Sequence, residues 1–460
     1  MIFEDRTGKR WIIIKTFFLS GLLFVLGMLI LYALHSYGVI FLPFISDLLS
    51  FVIATGKKVL IAYLLIAIAI GFLRMGFLIF YGIRQVRRDR ILREYEKVNR
   101  YLIRIYQPDV TVLIPVFNEE VVIHRTVRAI LASDYPITEI LVIDDGSTDA
   151  TADIVKREFR HERIVELIQK RNGGKASALN MGFQLASGDI IITIDADTIF
   201  QPETVSNLVR NFSDSRVAAV SGNCKIGNIR NQLTLWQHIE YVTANNLEKR
   251  AFEELNCITV VPGSNSAWRR RVVKQVGYFH HDTLAEDTEL TLRLLNEGYK
   301  IIYDDRAISY EECPETVKDF IKQRYRWSYG ILQTAWKHKR NILTSSNKSL
   351  KYFAVPSMLF SYLLYLTSPL IDFIFLAAFL SGTTSIYFYA LLFYTTDVLN
   401  SVIAFKLGGE KMKPLVWVIF QRMGYRYLIA YVTWKTIIMA LRGTSVGWNK
   451  LKRSGNNTYS

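Results

Sequence analysis

Asp195 and Asp197 stand one residue apart behind the apolar run Ile190 to Ile194. If strand geometry persists through them, both carboxylates face one side and can approach a single Mg2+ or Mn2+ together with a diphosphate. A hard cation held there would neutralise the charge that builds on a departing nucleoside diphosphate. The same D-x-D pattern also occurs in solvated turns; its position at the exit of a buried strand favours the metal reading.

Other polar signatures fall at the ends of apolar runs. Asn118 and Glu119 follow a run that contains Pro115. Asp144, Asp145, Gly146 and Ser147 read as an Asp-Gly turn followed by a helix cap. Only one of the two carboxylates is needed for that turn, which leaves an acceptor for the imide or ribose donors of a nucleotide. In RNGGKASALN, Arg171 to Asn180, two glycines and Lys175 precede a helix, where backbone N–H groups and an ammonium could meet phosphate or base. The spacing is not that of a Walker loop.

A second group of residues suits an acceptor. Ala285, Glu286, Asp287 and Thr288 open a helical stretch, where acids are favoured by the dipole alone. The chemical reading makes Asp287 a general base for an acceptor hydroxyl, with Glu286 holding its surroundings. Gln323, Arg326 and Trp327 lie on or near one helical face in a basic, aromatic segment. That segment also suits an amphipathic interfacial helix. Both roles are compatible, with Arg326 set to stabilise diphosphate charge and Trp327 to offer a sugar an aromatic face.

The elements that must position these groups alternate. Val110 to Val116, Glu139 to Ile143, Arg163 to Ile168 and Ile190 to Ile194 predict strands; Glu119 to Ser133 and Thr151 to Arg160 predict helices. This is the βαβ rhythm of a mostly parallel sheet, in which ligands sit beyond the carboxyl ends of the strands.

Composition adds a membrane. Of 460 residues 50% are hydrophobic, high for a wholly soluble chain. A net charge of +15 would suit nucleic acid, but the basic residues cluster beside apolar segments, as at Arg84, Arg87, Arg88, Arg90 and Arg93, where anionic headgroups would be met. The expectation is a bilayer partner and no nucleic acid. Three cysteines, Cys224, Cys257 and Cys313, lack the spacing of a zinc site or disulfide framework.

Phe17 to Leu34 and about Val59 to Tyr81 predict two spans, with Tyr37 to Ser50 as the outer loop; no small-residue cleavage site favours a signal peptide. Phe353 to Leu380 and Ile386 to Phe405 predict two more, joined by an outer turn at Ser381 to Thr384. Leu415 to Leu441 is interrupted by Arg422, Arg426 and Lys435; crossing is the expectation, lying in the interface the alternative. The implied order is two spans (1–83), a basic cytoplasmic linker (84–108), a cytosolic catalytic domain (109–315), an amphipathic segment (316–350), an apolar block (351–442) and a basic tail (443–460). The positive-inside rule puts the central domain in the cytosol.

Taken in order, VLIPVFNEE, LVIDDGSTD, NGGKASALN, TIDADT, PGSNSAWRR, LAEDTELTLRL and QRYRW resemble the inverting family 2 glycosyltransferases, in particular the membrane-embedded processive synthases of cellulose, chitin, hyaluronan and poly-N-acetylglucosamine. The closing QRMGYRY and LRGTSVGWNKLKRSG look most like the bacterial poly-β-1,6-N-acetylglucosamine synthases. The resemblance implies an α/β GT-A domain with a mostly parallel sheet, flanked by transmembrane helices in a bacterial plasma membrane. It also implies a UDP-sugar donor, with UDP-N-acetylglucosamine expected, a growing polysaccharide acceptor and an accessory membrane subunit. Asp145, Glu119 and Lys175 would hold the uridine side, and Asp195 and Asp197 ribose, diphosphate and metal. Asp287 matches the family's base, and Gln323, Arg326 and Trp327 match Q-x-x-R-W. Gly263 and Ser264 align with the acceptor loop, but Val261 and Pro262 replace the aromatic-Cys approach of the cellulose branch. No cytosolic extension follows the last apolar block, so no cyclic-dinucleotide control domain is expected. Alternatives are non-processive transfer to a polyprenyl phosphate or lipid and a non-catalytic nucleotide-sugar-binding scaffold.

Overall fold

The computed structural model describes residues 43–98, 106–380 and 385–443, with positions 11, 12, 15, 16, 19, 20, 27, 30, 455 and 457. The expected span at Phe17 to Leu34 falls almost wholly outside the described residues, as do the turn at Ser381 to Thr384 and the basic residues of the tail.

The centre of the chain is an eight-stranded sheet. Its strands are β1 (Val110–Val116), β2 (Glu139–Asp144), β3 (Val165–Gln169), β4 (Ile190–Thr193), β5 (Thr198–Phe200), β6 (Val217–Ile226), β7 (Ser266–Arg269) and β8 (Lys300–Glu311). The order is β3-β2-β1-β4-β7-β6-β8-β5. β1 pairs in parallel with β2 and β4, β2 with β3, and β6 with β8, while β7 and β5 run antiparallel to their neighbours. β1, β2 and β4 are apolar on both faces and buried, as strands covered by helices on either side must be.

One face packs on α2 (Ile123–Leu131), α3 (Thr151–Glu158) and α5 (Thr204–Val209) through Ile123, Val127, Val155 and Leu208. The other packs on α4 (Lys175–Leu185), α8 (Arg270–Gln275) and α9 (Glu286–Asn296) through Leu179, Phe183, Val273 and Leu294. The four expected strands are present to within two residues at each end. The expected helices are shorter than the periodicity suggested, because Asn118 to Val122 form a turn in which Asn118 takes a φ of 56°.

The flanking helices depart from the sequence reading. Pro43 to Val98 is one helix, α1, so positions 43–50 of the expected loop and most of the expected basic linker are helical. Its charged end does not meet headgroups alone. Arg84 and Arg88 bond Glu254 at 2.8 and 2.6 Å, and Arg93 pairs with Asp305. Buried Gln85 bonds Glu253 and Arg250 at 2.7 and 2.9 Å. Their partners sit on the sheet domain, on β8 and on α7 (Arg250–Glu254), which continues α6 (Gln232–Thr243) through a π turn at Ala244–Lys249. Arg87 and Arg90 remain exposed.

After β8 come α10 (Val317–Lys337), α11 (Lys339–Thr344), α12 (Val355–Leu380), α13 (Ser385–Gly408) and α14 (Val418–Arg442). Among the described residues three stretches, Ile61–Val98, Leu350–Leu376 and Phe388–Gly408, are long and apolar enough to cross a membrane. α14 is not one of them. It lies along α10, with Tyr425 against Phe320 at a centroid separation of 5.0 Å and Ala440 packed on Tyr329.

Candidate active site

The carboxyl ends of β1, β2 and β4 carry the residues assigned to a donor. Gly146, with φ 81°, lets the chain turn after β2, and Asp144 closes that turn by accepting from the Ser147 N–H at 2.8 Å. Asn118 is bonded to the same turn, its N–H to Ser147 Oγ at 2.8 Å and its Oδ1 from the Thr148 N–H at 2.7 Å. The Glu119 N–H donates to Thr151 Oγ1 at 2.7 Å. Pro115 sits in β1 opposite Ile143.

Asp145 is 4% exposed, and its oxygens accept from the N–H groups of Gly173 and Gly174 at 2.9 and 2.7 Å and from Lys170. In this geometry it holds the glycine loop that opens α4, whose first residue is Lys175. Lys170 was not singled out from the sequence. Its only signal was one more lysine near the loop.

The chain leaves strand geometry after Thr193, and Ala196 and Asp197 form a turn, so the simple alternation expected for Asp195 and Asp197 does not apply. The turn is held from both sides. Thr126 of α2 donates to the Ala196 carbonyl at 2.5 Å, and β5, which follows at once, pairs Thr198 with Glu311 of β8. Asp195 is partly exposed and paired with Lys175; Asp197 is buried. No cluster of three or more His, Cys, Asp or Glu side chains suited to a metal occurs among the described residues. Two carboxylates fit a Mg2+ or Mn2+ site completed by substrate phosphate and water.

Lys175 joins the donor and acceptor groups. Burial works against its charge, but Asp195, Glu286 and Asp287 more than offset it and raise its pKa above the ordinary lysine value. Burial in turn raises the pKa of both Glu286 and Asp287, and Lys175 opposes that rise. The close approach depends on Gly263, where a Cβ would fall 2.8 Å from the Lys175 Nζ and 3.8 Å from Asp195 Oδ1. Ser264 beside it is buried over Cys224, 3.9 Å away. The predicted acceptor loop and predicted donor acids therefore meet at one lysine.

Glu286 and Asp287 start α9. Asp287 Oδ1 accepts from the Thr288 N–H at 2.6 Å, as a carboxylate at a helix start should. α10 is fastened against this start. Gln333 Oε1 accepts from the Leu284 N–H at 3.1 Å, and Lys337 bonds Asp282 and Glu289 at 2.8 and 2.9 Å. His338 lies 2.9 Å from the same Glu289 oxygen. Glu289 was missed in the sequence, although its spacing from Arg293 fits an i,i+4 ion pair, which forms at 2.8 Å.

The QRYRW residues sit on the preceding turns of α10. Arg326 is close enough to Glu286 to oppose, with Lys175, the rise that burial imposes on its pKa. Gln323 is buried, and its Oε1 has no hydrogen-bond donor among the described residues. Arg324 is buried between Glu240 and Tyr425 and stacks on Trp327 at 4.4 Å, which fixes the plane of that ring. The arrangement thus gathers two buried carboxylates, Glu286 and Asp287, with the cations of Lys175 and Arg326 in electrostatic reach.

Residues 111–277 match the family described as glycosyl transferase family 2. The chain is 39% identical over 232 residues to a probable glycosyltransferase, YdaM, of Bacillus subtilis, covering 48% of this chain and 55% of that protein. It is 33% identical over 222 residues to the poly-beta-1,6-N-acetyl-D-glucosamine synthase of Staphylococcus aureus, covering 48% and 54%. The chain thus spans about half the length of the curated relatives it matches. A solved mannosyltransferase, PcManGT from Pyrobaculum calidifontis in complex with GDP-Man and Mn2+, shares the fold with a TM-score of 0.52 at 22% identity, over 79% of this chain and 99% of that one. The similarity to the glycosyl transferase family 2 thus runs from β1 to the end of α8, over residues 111–277.

Proposed function

We propose that this protein is an inverting membrane glycosyltransferase that polymerises a UDP-sugar, UDP-N-acetylglucosamine in the first instance, into a β-linked extracellular polysaccharide. The observation that carries the reading is Lys175. It pairs with Asp195 of the donor side and acts electrostatically on Glu286 and Asp287 of the acceptor side. A site for nucleotide-sugar binding alone has no use for a buried carboxylate facing the acceptor.

In this mechanism Asp287 takes the proton from a hydroxyl at the non-reducing end of the growing chain. The hydroxyl oxygen bonds to the anomeric carbon from the face opposite the nucleotide. The bond from that carbon to the diphosphate oxygen breaks, and UDP leaves with the electron pair. Asp195 and Asp197 would hold Mg2+ or Mn2+, which supplies charge neutralisation on the diphosphate. Arg326 adds positive charge on the same side, Trp327 stacks on the acceptor sugar, and Asn118, Glu119, Asp144 and Asp145 shape the nucleotide pocket.

Transport of the product is supported by a cavity of about 300 Å³ enclosed by α1, α6, α12, α13 and α14, lined among others by Glu240, Tyr365, Asn400, Gln421 and Arg426. A hydrophilic chain needs such a polar path through lipid. The S. aureus relative supports a polysaccharide synthase, and N-acetylglucosamine, the sugar in that relative's name, is our proposal for the donor. We place the catalytic domain in the cytosol of a bacterium and α14 at the membrane surface, because α14 stays against the catalytic domain at Tyr425 and at Ala440. This proposal takes the interfacial alternative for Leu415 to Leu441.

The test uses the full chain in nanodiscs with a panel of radiolabelled UDP-sugars and Mg2+ or Mn2+. Wild type should release UDP and make hydrolase-sensitive polymer from UDP-N-acetylglucosamine, and Asp287→Asn should do neither. Single-sugar products on lipid would establish non-processive transfer instead, and no UDP release from any donor would leave a binding scaffold.

A further inference from the structure

Lys249 is a desolvated cation that the donor and acceptor assignments leave without a task. It closes the π turn Ala244–Lys249 that joins α6 to α7. A π turn carries one residue more than an α turn and is often found at functional sites. Here it brings Asn245 and Lys249 onto β6. Asn245 Nδ2 donates to the Cys224 carbonyl at 2.8 Å, and Lys249 Nζ donates to Ser221 Oγ at 3.2 Å. The ring of Tyr303, which pairs with Ser221 across β6 and β8, has its centroid 5.5 Å from the same ammonium.

An ammonium has three protons to donate and accepts none. Ser221 takes one of them, and no ion pair joins Lys249 to a carboxylate among the described residues. Glu311 acts on it from β8, but the Glu311 oxygens are engaged by the Cys224 thiol at 3.1 Å and by the Tyr241 hydroxyl. Burial pushes the Lys249 pKa down to about 8, with Glu311 and Asp287 among the groups that oppose the fall, so the side chain still carries its charge at neutral pH. A desolvated charge with protons to spare is costly to keep unless oxygen atoms complete its shell.

The acceptor loop lies beside this ammonium. It touches Lys175 at Gly263 and Cys224 at Ser264. One end is tied to the start of α9, because the Thr291 hydroxyl accepts from the Val261 N–H at 3.2 Å and donates to the Asp287 carbonyl at 2.6 Å. The other end runs into β7, which sets Ser266 opposite Ser221. Asp287 and Lys249 thus approach one loop from different elements and lie within electrostatic reach of each other.

We infer that Lys249 is an acceptor-binding residue: it donates to an oxygen of the terminal sugar whose hydroxyl Asp287 deprotonates, and its charge excludes a sugar bearing a free amine there. The inference rests on the proposed polymerase with Asp287 as its base. Only an acceptor atom, a hydroxyl or an amide carbonyl oxygen, can meet an ammonium, whereas a protonated amine would be a second cation beside it. An N-acetylated chain end therefore fits, and a de-N-acetylated one does not.

The test follows transfer from UDP-N-acetylglucosamine by the full chain in nanodiscs, at a mildly acid pH that keeps a sugar amine protonated. Two acceptors are compared: a β-1,6-linked N-acetylglucosamine oligosaccharide and the same oligosaccharide without its acetyl groups. Wild type should use the first with a KM at least about tenfold lower, the weight of one hydrogen bond to a charged group. Lys249→Met keeps the length of the side chain and removes the charge. It should raise KM for the acetylated acceptor by a similar factor and bring the two acceptors together, with donor KM and calorimetric UDP binding unchanged. Lys249→Arg should retain the preference. Equal use of both acceptors by wild type, or an unaltered acceptor KM in Lys249→Met, would overturn the assignment while leaving the polymerase intact. A joint loss of UDP binding and melting temperature in Lys249→Met, restored by Lys249→Arg, would reduce the lysine to a part of the fold. No transfer to either acceptor by wild type would sink the polymerase reading, and the role of Lys249 with it.

Discussion

Gly330 of α10 and Ala285, the residue before Glu286, are in backbone contact: a Cβ on Gly330 would fall 2.8 Å from both the Cβ and the N of Ala285. This contact sets how near the QRYRW turns come to Asp287. Because a backbone, unlike a flexible side chain, cannot step aside, Gly330→Ala should push α10 off the start of α9. Overpacking of this kind costs about 1–3 kcal/mol. Polymerisation should fall by more than tenfold, about 1.4 kcal/mol in the barrier, while UDP binding by calorimetry stays near wild type. Equal losses in both would show that the contact serves the fold alone.

Asp287 should give the acid limb of the pH–rate profile. Burial raises its pKa above the ordinary aspartate value, and Lys175 opposes the rise. A base works in its charged form, so kcat/KM should drop as pH falls through that raised pKa. In Lys175→Met the opposing charge is gone, and the limb should move to higher pH. Movement to lower pH would remove Lys175 from the neighbourhood of the base. Asp287→Asn should cost on the order of 10² to 10⁴ in rate.

Two arginines two residues apart should separate. Arg324 is buried on Glu240 and Tyr425, so Arg324→Met leaves a carboxylate without its cation and should destabilise by about 3–5 kcal/mol. Arg326→Met should leave the melting temperature within a few degrees of wild type and abolish turnover. Thermal unfolding beside UDP release distinguishes them, and a reversed pattern would exchange their roles.

Glu289 links stability to pH. Burial alone would raise its pKa, but hydrogen bonds from His338, Arg293 and Lys337 hold it well below the ordinary carboxylate range. Its folded pKa is thus lower than its unfolded value of about 4.3. The stability it contributes is fully present above that value and is lost as pH falls below it. Glu289→Gln should flatten the acid side of the stability curve and lower stability at neutral pH. An unchanged acid slope in denaturant titrations from pH 7 to pH 3 would contradict the assignment.

Much of this protein was legible in order of residues. β1, β2 and β4 are buried on both faces and therefore read as unbroken β-branched runs, and the polar residues beyond them could only lie at the sheet's carboxyl edge. Asp195, Asp197, Asp287 and the QRYRW segment stood out because their types are costly to place without a task. Local periodicity also yielded the apolar helices α12 and α13 to within a few residues.

What the residues could not convey was which charges meet. Arg84, Arg88 and Arg93 read as headgroup contacts, because a basic run beside an apolar span has that meaning locally. Their partners, Glu253, Glu254 and Asp305, lie more than 160 residues away and reach them only when α1 docks on α7 and β8. Lys175 likewise read as a phosphate ligand and became the junction of the donor and acceptor acids only once Gly263 let the loops close. Sequence by itself determined the likeness of residues 111–277 to the glycosyl transferase family 2, the first four strands of the sheet and the candidate reactive groups, since these depend on residue type and short-range period. The tertiary structure alone decided the pairing of Lys175 and the fastening of α10 by Glu289 and Gly330, because ion pairs and backbone contacts depend on distances that no local pattern encodes.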